Sequence, residues 1–197
     1  MNSRKTQFRC AADDDRPALK EIWAEVFEDE QEYIDLFFER MFRPENYALL
    51  CDADTGEILS MAALLPVDLV CCGKRYPISY LYGMATLPSE QGKGCGLELL
   101  RLAAEYCKGR GKAGIALQPA DEGLLYFYKK AGYAPAFCGV KNSECFIDYP
   151  DYFLDFARAA GYDVPAGEDP ERAVPGVFLS FDPQLKPKNA YLAYPLD

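Results

Sequence analysis

The segment Tyr80–Gly96, YLYGMATLPSEQGKGCG, constrains the fold of this chain more than any other stretch. Its apolar first half predicts a buried strand, a proline marks the exit of that strand, and an amphipathic helix is predicted from about Leu97. Gly92, Gly94 and Gly96 lie between the strand and the helix. Because glycine has no side chain, this turn leaves backbone N–H groups open at the positive end of the helix dipole. Such a turn is predicted to bind an anion, best of all a phosphate or a diphosphate.

The spacing of the glycines excludes two common nucleotide-binding loops. A P-loop ends in Gly-Lys followed by Ser or Thr, but Gly92 and Lys93 are followed by Gly94. The dinucleotide fingerprint places its third glycine three positions after the second, whereas Gly96 follows Gly94 by two. A glycine-rich helix start without a ligand is the alternative that this loop alone leaves open.

The loop does fit the pattern Gln/Arg-x-x-Gly-x-Gly/Ala, which is filled by Gln91, Gly94 and Gly96. Preceded by a strand that ends Met84-Ala85-Thr86-Leu87-Pro88, it closely resembles the acetyl-CoA loop of the GNAT N-acetyltransferase superfamily. The resemblance extends over about residues 6–147. It implies an acetyl-CoA-dependent enzyme in which an amine acceptor takes the acetyl group directly from coenzyme A.

A second segment, Asp121–Tyr133, is similar to the helix of that family that ends Tyr-x-x-x-Gly-Phe/Tyr, with Tyr128 as the first tyrosine. The resemblance implies that Tyr128 donates a proton to the thiolate as it leaves. A helix aromatic that merely packs on the sheet is the alternative, and Tyr126 and Phe127 compete with Tyr128 for that description. The implied cofactor-binding residues are Met84, Ala85, Thr86, Gln91, Gly92, Lys93, Gly94, Cys95, Gly96, Asp121 and Tyr128.

One departure from the family pattern concerns Asp121, which stands where the family often carries Asn seven residues before the tyrosine. The sequence Leu-Gln-Pro-Ala, directly before Asp121, is more similar to that of acetyltransferases of the enhanced-intracellular-survival type. Those chains usually carry a further domain, whereas only about fifty residues follow the core here. The substrate of that subgroup is therefore not carried over.

The general base that deprotonates the amine must be a carboxylate or a water chain, because the sequence contains no histidine. Glu25, Glu28 and Glu32 are candidates by their position on the first two helices, and the terminal carboxylate of Asp197 is another. The plain alternative for each glutamate is a charge on a solvated helix face.

The order of predicted elements is strand, two helices, three strands, helix, strand, helix and two strands, which is the GNAT order. It predicts an α/β (α+β) fold with a mixed, mostly antiparallel central sheet flanked by helices, and a splayed strand pair that holds the cofactor. We expect one domain over residues 1–197, with its core at about 6–147. Residues 148–197 are predicted to add a C-terminal helix, a loop over Val164–Pro175, and strands at Val177–Phe181 and Ala190–Leu196.

Charge and apolar content restrict the kinds of partner that this chain is expected to bind. The chain carries 21 basic and 31 acidic residues, a formal net charge of −10, which argues against nucleic acid or an anionic membrane and is compatible with a cationic acceptor. No apolar run has membrane-spanning length and the N-terminus lacks a signal peptide, so a cytoplasmic location is expected. A small-molecule or peptide amine is the expected acceptor, and a homodimer is left open.

The eight cysteines contain no C-x-x-C pair, so no metal site is expected, and reduced thiols buried as small hydrophobes are predicted. Cys95, at a helix N-terminus, is expected to have a lowered thiol pKa. Two alternatives to an acetyl-CoA-dependent N-acetyltransferase remain. One is a GNAT-fold acyltransferase that uses a longer acyl-CoA, and the other is a sensor module that holds coenzyme A without turnover.

Overall fold

The computed structural model describes residues 4–138, 144–162 and 175–192. The chain forms two compact units, one made of Met1–Leu65 with Leu81–Ala103 and the other of Pro66–Tyr80 with Ala104–Asp197. The elements in chain order are β1 (Thr6–Cys10), α1 (Arg16–Phe27), α2 (Gln31–Arg40), β2 (Tyr47–Asp52), β3 (Ile58–Cys71), β4 (Lys74–Thr86), α3 (Cys95–Gly109), β5 (Gly114–Leu117), α4 (Glu122–Lys130), β6 (Ala134–Cys138), β7 (Cys145–Asp148), α5 (Asp151–Ala159), β8 (Gly176–Ser180) and β9 (Ala190–Tyr191).

The first unit is built on antiparallel strands. β1 pairs with β2, where Phe8 lies opposite Leu50, and β2 pairs with β3, where Ala48 lies opposite Ala62. Apolar residues at helical spacing are buried on both helices, and Trp23 is the largest of them, whereas Phe27 at the end of α1 is exposed. The ring centroid of Trp23 lies 4.6 Å from that of Phe37, so the two helices share one aromatic core.

The second unit is a mixed sheet in the order β4-β5-β8-β6-β9-β7, with the end of β3 paired to β7. β4 and β5 run parallel, β5 and β6 are antiparallel to β8, and β9 runs parallel to both β6 and β7. The insertion of β8 between β5 and β6 brings the C-terminal part of the chain into this sheet. On α5, Phe153 and Phe156 are buried, as the helical spacing predicts.

The predicted element order is confirmed, and the α/β class with a mixed sheet flanked by helices is correct. One helix boundary differs. Helix α3 begins at Cys95 rather than near Leu97, which places Gly96 in its first turn. The segment Val67–Cys72 is predicted to continue the strand Ile58–Leu65, and the two form one strand, β3, through Pro66. The sequence also predicts a strand over Tyr133–Val140. The end of that strand, the end of the predicted strand Ala190–Leu196, and most of the predicted loop over 164–175 lie outside the described residues.

Among the described residues, no helix combines the length and apolar character needed to span a membrane.

Candidate functional site

The glycine loop of the first unit connects β4 to α3 and contains a short 3-10 helix, Pro88–Glu90. Gly92 and Gly94 have φ angles of 74° and 93°, in the left-handed region. A Cβ at either position would meet no atom within 4 Å, so the glycines are required by the backbone conformation and not by crowding. The empty space over both residues keeps the backbone approachable from solvent.

Hydrogen bonds inside the loop decide which of its N–H groups remain available. The Gln91 N–H donates to the carbonyl of Leu87 at 3.1 Å, and the Lys93 N–H makes a longer bond to Glu90 at 3.4 Å. Within the described residues, no main-chain acceptor is found for the N–H groups at the start of α3 and just before it, which belong to Gly92, Gly94, Cys95 and Gly96. The predicted anion site is therefore narrower than Gln91–Gly96 and centres on the first turn of α3.

Gln91 braces the loop against β4. Its side-chain Nε2 donates to the carbonyl oxygen of Thr86 at 3.2 Å, which ties the turn to the last residue of the strand. The sequence predicts Gln91 as a cofactor-binding residue, but the structure gives its side chain and its main-chain N–H partners within the protein. Its role toward a cofactor stays a prediction.

Near the end of β4, the main-chain groups that face β3 are hydrogen-bonded, whereas those on the opposite edge differ in their partners. The hydroxyl of buried Ser60 donates to the carbonyl of Ala85 at 2.7 Å, and Leu87 donates to the carbonyl of Leu59, so these groups face β3. Because successive residues of a strand direct their main-chain groups to opposite edges, Met84 and Thr86 face away from β3. Of the three predicted residues on this strand, Met84 and Thr86 are thus the ones that could pair with an extended ligand.

A buried carboxylate lies beneath the loop. Glu90 is 8% exposed and accepts from Arg4 at 2.9 Å and from Lys93 at 3.2 Å. Burial by itself raises the pKa of Glu90, but the hydrogen bonds from Lys93 and Arg4 outweigh it and hold the pKa below its ordinary value. Lys93, predicted to add charge to the anion site, thus shares its ammonium group with Glu90.

Cys95 behaves differently from the prediction. Burial is the largest influence on its thiol, and the nearby carboxylates of Glu90 and Glu98 act in the same direction, so the pKa of Cys95 is raised. The helix N-terminus does not overcome these effects. Cys95 therefore lacks the lowered pKa that was expected from its position.

In the second unit, Asp121 and Tyr128 are placed by α4. Asp121 is the N-cap, and its carboxylate accepts from the Leu124 N–H at 3.1 Å, which accounts for the start of the helix. The ring of Tyr128 is buried, and burial raises the pKa of Tyr128 to about 12. Tyr126, its rival for the packing role, is 67% exposed with Lys130 stacked 4.5 Å over its ring. Tyr128 is therefore the inward-facing tyrosine of this helix.

Tyr133, the last residue of the same motif, is also buried. Its ring packs edge-on against that of Tyr128 at 5.7 Å, and burial raises its pKa well above the ordinary value. Its hydroxyl has no hydrogen-bond partner among the described residues. The motif is thus a pair of packed tyrosines, both of which keep their protons at neutral pH.

The predicted base candidates lie on solvated surface. Glu25, Glu28 and Glu32 are all exposed, which agrees with the alternative that each is a charge on a solvated helix face. Asp197 lies outside the described residues. Sequence analysis did not single out Asp29, whose carboxylate accepts from Trp23 Nε1 at 2.7 Å at the junction of α1 and α2. The run of acids over residues 28–30 was the available signal, but it does not say which carboxylate is fixed.

A second polar pair near this junction was also missed. The hydroxyls of Tyr33 on α2 and Tyr82 on β4 are 2.8 Å apart, and the ring of Tyr82 lies 5.8 Å from that of Trp23. In the described part of the chain no group of three or more His, Cys, Asp or Glu is placed to hold a metal ion.

Comparison with known proteins decides the family. A family model described as an acetyltransferase (GNAT) domain matches residues 7–136, which include the glycine loop and α4. The chain belongs to the GNAT acetyltransferase family. The resemblance drawn from the two sequence motifs is confirmed at this level. The search of curated proteins found no match.

Solved GNAT structures share the fold at low sequence identity. A GCN5-related N-acetyltransferase from Anabaena variabilis matches with a TM-score of 0.60 and 20% identity over 67% of this chain and 32% of that one. A GNAT family acetyltransferase from Brucella melitensis, solved with acetyl-CoA, matches with a TM-score of 0.55 and 14% identity over 99% of this chain and 100% of that one. Eis1 from Mycobacterium abscessus matches with a TM-score of 0.55 and 17% identity over 67% of this chain and 32% of that one.

This chain thus spans about a third of the length of several structures that it matches, including those from Anabaena and Mycobacterium. At these identities the likeness concerns the fold alone.

Proposed function

We propose that this protein is an N-acetyltransferase that moves an acetyl group from acetyl-CoA directly to a primary amine. The observation that carries the proposal is the row of N–H groups without a main-chain acceptor at Gly92, Gly94, Cys95 and Gly96, where α3 begins. The diphosphate of coenzyme A is an anion that such groups bind, and the helix dipole adds to the attraction. Two proteins of the same fold support the choice of ligand, since the Brucella protein was solved with acetyl-CoA and YhbS from Escherichia coli with CoA.

The pantetheine arm is proposed to lie along the end of β4. Met84 and Thr86 direct their main-chain groups away from β3, and an extended chain of amides can pair with such an edge as an added strand does. The carbonyl of Thr86 is already engaged by Gln91, which leaves the N–H of Thr86 and both main-chain groups of Met84 for the ligand. A main-chain N–H of this strand would also stabilise the oxyanion that forms when the amine attacks the thioester.

Tyr128 is proposed as the group that returns a proton to the departing thiolate, as in the family motif that α4 resembles. Its raised pKa of about 12 keeps the hydroxyl protonated at neutral pH. A thiol has a pKa of about 8.5, so its thiolate is already a tolerable leaving group. The proton from Tyr128 should therefore contribute about 10²–10⁴ to the rate, the usual range for general-acid catalysis.

The acceptor is proposed to be a cationic amine, either a small molecule or a peptide. The formal net charge of −10 favours the approach of cations over anions. Before attack the amine must lose a proton, and in a chain without histidine the acceptor of that proton is a carboxylate or water. Glu25, Glu28 and Glu32 remain the proposed carboxylates.

The cofactor assignment is tested with Gly94→Glu, which puts a side-chain anion where the diphosphate should rest. The matched control is Gly56→Glu, since Gly56 also has a left-handed φ (79°) in open space but lies in the β2–β3 turn. Calorimetry with acetyl-CoA should show binding by the wild type and by the control and none by Gly94→Glu. At a hundredfold excess over Kd, bound ligand adds about 2.7 kcal/mol to the free energy of unfolding. Unchanged affinity in Gly94→Glu, or no binding by the wild type, contradicts the proposal.

Turnover separates acetyl transfer from its two rivals. Free thiol is followed while the protein is mixed with acetyl-CoA, or with acyl-CoAs of increasing chain length, and a panel of amines. Release with acetyl-CoA that depends on an amine supports the proposal. Faster release with longer chains indicates a different acyl donor, and tight binding without release on any amine indicates a sensor module.

A further inference from the structure

Three cysteines of the second unit lie together where β3 meets β7. Cys71 ends β3, Cys72 follows it, and Cys145 begins β7. The strands are antiparallel, and Cys71 and Cys145 are direct cross-strand partners. The Cys145 thiol donates a hydrogen bond to the Cys71 sulfur, and the two sulfurs are 2.8 Å apart.

The backbone around this pair favours a covalent bridge. The Cys72 N–H donates to the carbonyl of Glu144 at 2.7 Å, which identifies Cys71 and Cys145 as a non-hydrogen-bonded pair of the antiparallel ladder. Partners of this kind have Cα atoms about 4.5 Å apart, and disulfides span Cα separations of about 4.4–6.8 Å. A disulfide has a sulfur–sulfur bond of about 2.05 Å, so closing the present gap needs only side-chain movement.

The three cysteines differ in their exposure to solvent. Cys72 is exposed, Cys71 is half-buried and Cys145 is buried. Burial, and then the neighbouring thiol of Cys71, raise the pKa of Cys145 to about 12, so Cys145 holds its proton and acts as the donor of the S–H···S bond. Cys71 accepts that bond and is the more accessible sulfur of the two, which makes it the one that an oxidant from solvent attacks first.

We propose that Cys71 and Cys145 are an oxidation site for peroxides, at which two thiols become a disulfide that joins β3 to β7. The Cys71 thiol gives up its proton, and the thiolate attacks one peroxide oxygen. The O–O bond breaks, a sulfenic acid forms on Cys71, and the leaving hydroxide takes up the proton released by the thiol to become water. The Cys145 sulfur then attacks the Cys71 sulfur, the S–O bond breaks, and hydroxide leaves with the Cys145 proton as a second water. Two thiols are thereby oxidised by two electrons while one peroxide is reduced to two waters.

The disulfide would close a long segment of chain, because its two cysteines are 74 positions apart. A link of this length removes conformational freedom from the unfolded state and should raise the Tm by roughly 5–15 °C. Since Cys71 and Cys145 already face each other, little strain in the folded state opposes this gain. This oxidation site uses none of the residues proposed for acetyl transfer, so each of the two proposals can be correct without the other.

The test uses the full chain, reduced and then freed of reductant. After treatment with a small excess of hydrogen peroxide and alkylation of the remaining thiols, we expect the mass to show one pair of unalkylated cysteines. Peptide mapping should find Cys71 joined to Cys145. The melting temperature should rise, and dithiothreitol should reverse both changes.

Cys145→Ser and Cys71→Ser should each abolish the crosslink and the rise in Tm. Cys10→Ser is the matched control, because Cys10 is also half-buried but lies on β1, and this variant should still form the crosslink. If a serine variant fails to fold, peptide mapping of the wild type still decides. Full alkylation of both cysteines after peroxide, or a crosslink from Cys72 in place of Cys71, would overturn the assignment.

Discussion

Replacing Gly83 by alanine tests whether the aromatic core of the first unit fixes the course of β4. Gly83 has a φ of 55°, and a Cβ built on it would lie 2.3 Å from Cζ3 and 2.6 Å from Cη2 of Trp23. The indole has little room to retreat, since it packs at 4.6 Å against Phe37 and its Nε1 donates to Asp29 at 2.7 Å. Gly83→Ala therefore combines an unfavourable backbone conformation with a steric clash.

Both contributions can be sized. A left-handed backbone costs a residue with a Cβ about 1–2 kcal/mol. Overfilling a packed core costs about 1–3 kcal/mol, so the free energy of unfolding should fall by about 2–5 kcal/mol in total. At roughly 2–4 °C per kcal/mol for a chain of this size, the Tm should drop by about 4–20 °C. Urea unfolding followed by tryptophan fluorescence measures this loss, because Trp23 is the only tryptophan in the sequence.

Gly56→Ala is the control that separates the two contributions. Gly56 has a φ of 79°, but no atom lies within 4 Å of the position of its Cβ, so only the backbone cost applies. The excess loss in Gly83→Ala measures the clash with Trp23. Gly83→Ala should cost less stability in a Trp23→Leu background, where unfolding is followed by circular dichroism because the only tryptophan of the sequence is gone. Equal losses in the two glycine variants would show that the indole yields freely and that it does not fix β4.

Three further predictions concern single groups. Tyr128→Phe should lower kcat by about 10²–10⁴ while acetyl-CoA binding remains measurable by calorimetry; full activity would exclude Tyr128 as the acid. Asp121→Ala should cost about 1 kcal/mol in urea unfolding through loss of the α4 cap, whereas Asp121→Asn should retain the cap; equal losses would deny the cap its role. The hydrogen bond from Arg4 lowers the pKa of Asp52 from 3.8 to about 2, so the stability it contributes is complete above about pH 4 and lost as the pH falls towards 2. The acid branch of a Tm titration should be flatter in Arg4→Ala, and an unchanged branch would contradict this linkage.

The order of helices and strands could be predicted because it rests on local signals. Apolar residues at helical spacing mark α1 and α2, and the glycines that follow α3 and α4 mark their ends. The start of α3 was misplaced by two residues because Cys95 and Gly96 are weak helix formers, and nothing local distinguishes a first helical turn from a loop.

Contacts within the site were less predictable, because they depend on which of several partners a side chain meets. Gln91 could reach a ligand or the carbonyl of Thr86 with equal ease from its sequence position, and the structure gives it the latter. Cys95 was expected to have a lowered pKa from its helix end, but burial, a tertiary property, raises it. The contact of Cys71 with Cys145 depends on strand register between distant segments, which no local pattern encodes.

The ion pairs of Arg4 have a consequence for any shortened or fused form of this protein. One guanidinium bonds Asp52 and Glu57, at the two sides of the β2–β3 turn, and Glu90, beneath the glycine loop. A chain trimmed to begin at Thr6 would retain the whole β-strand framework and all three loop glycines. It would nevertheless leave the Glu90 carboxylate with Lys93 as its one remaining cation among the described residues, next to the place proposed for a diphosphate. Affinity for the coenzyme should thus depend on a residue that a trimmed expression clone would discard as dispensable.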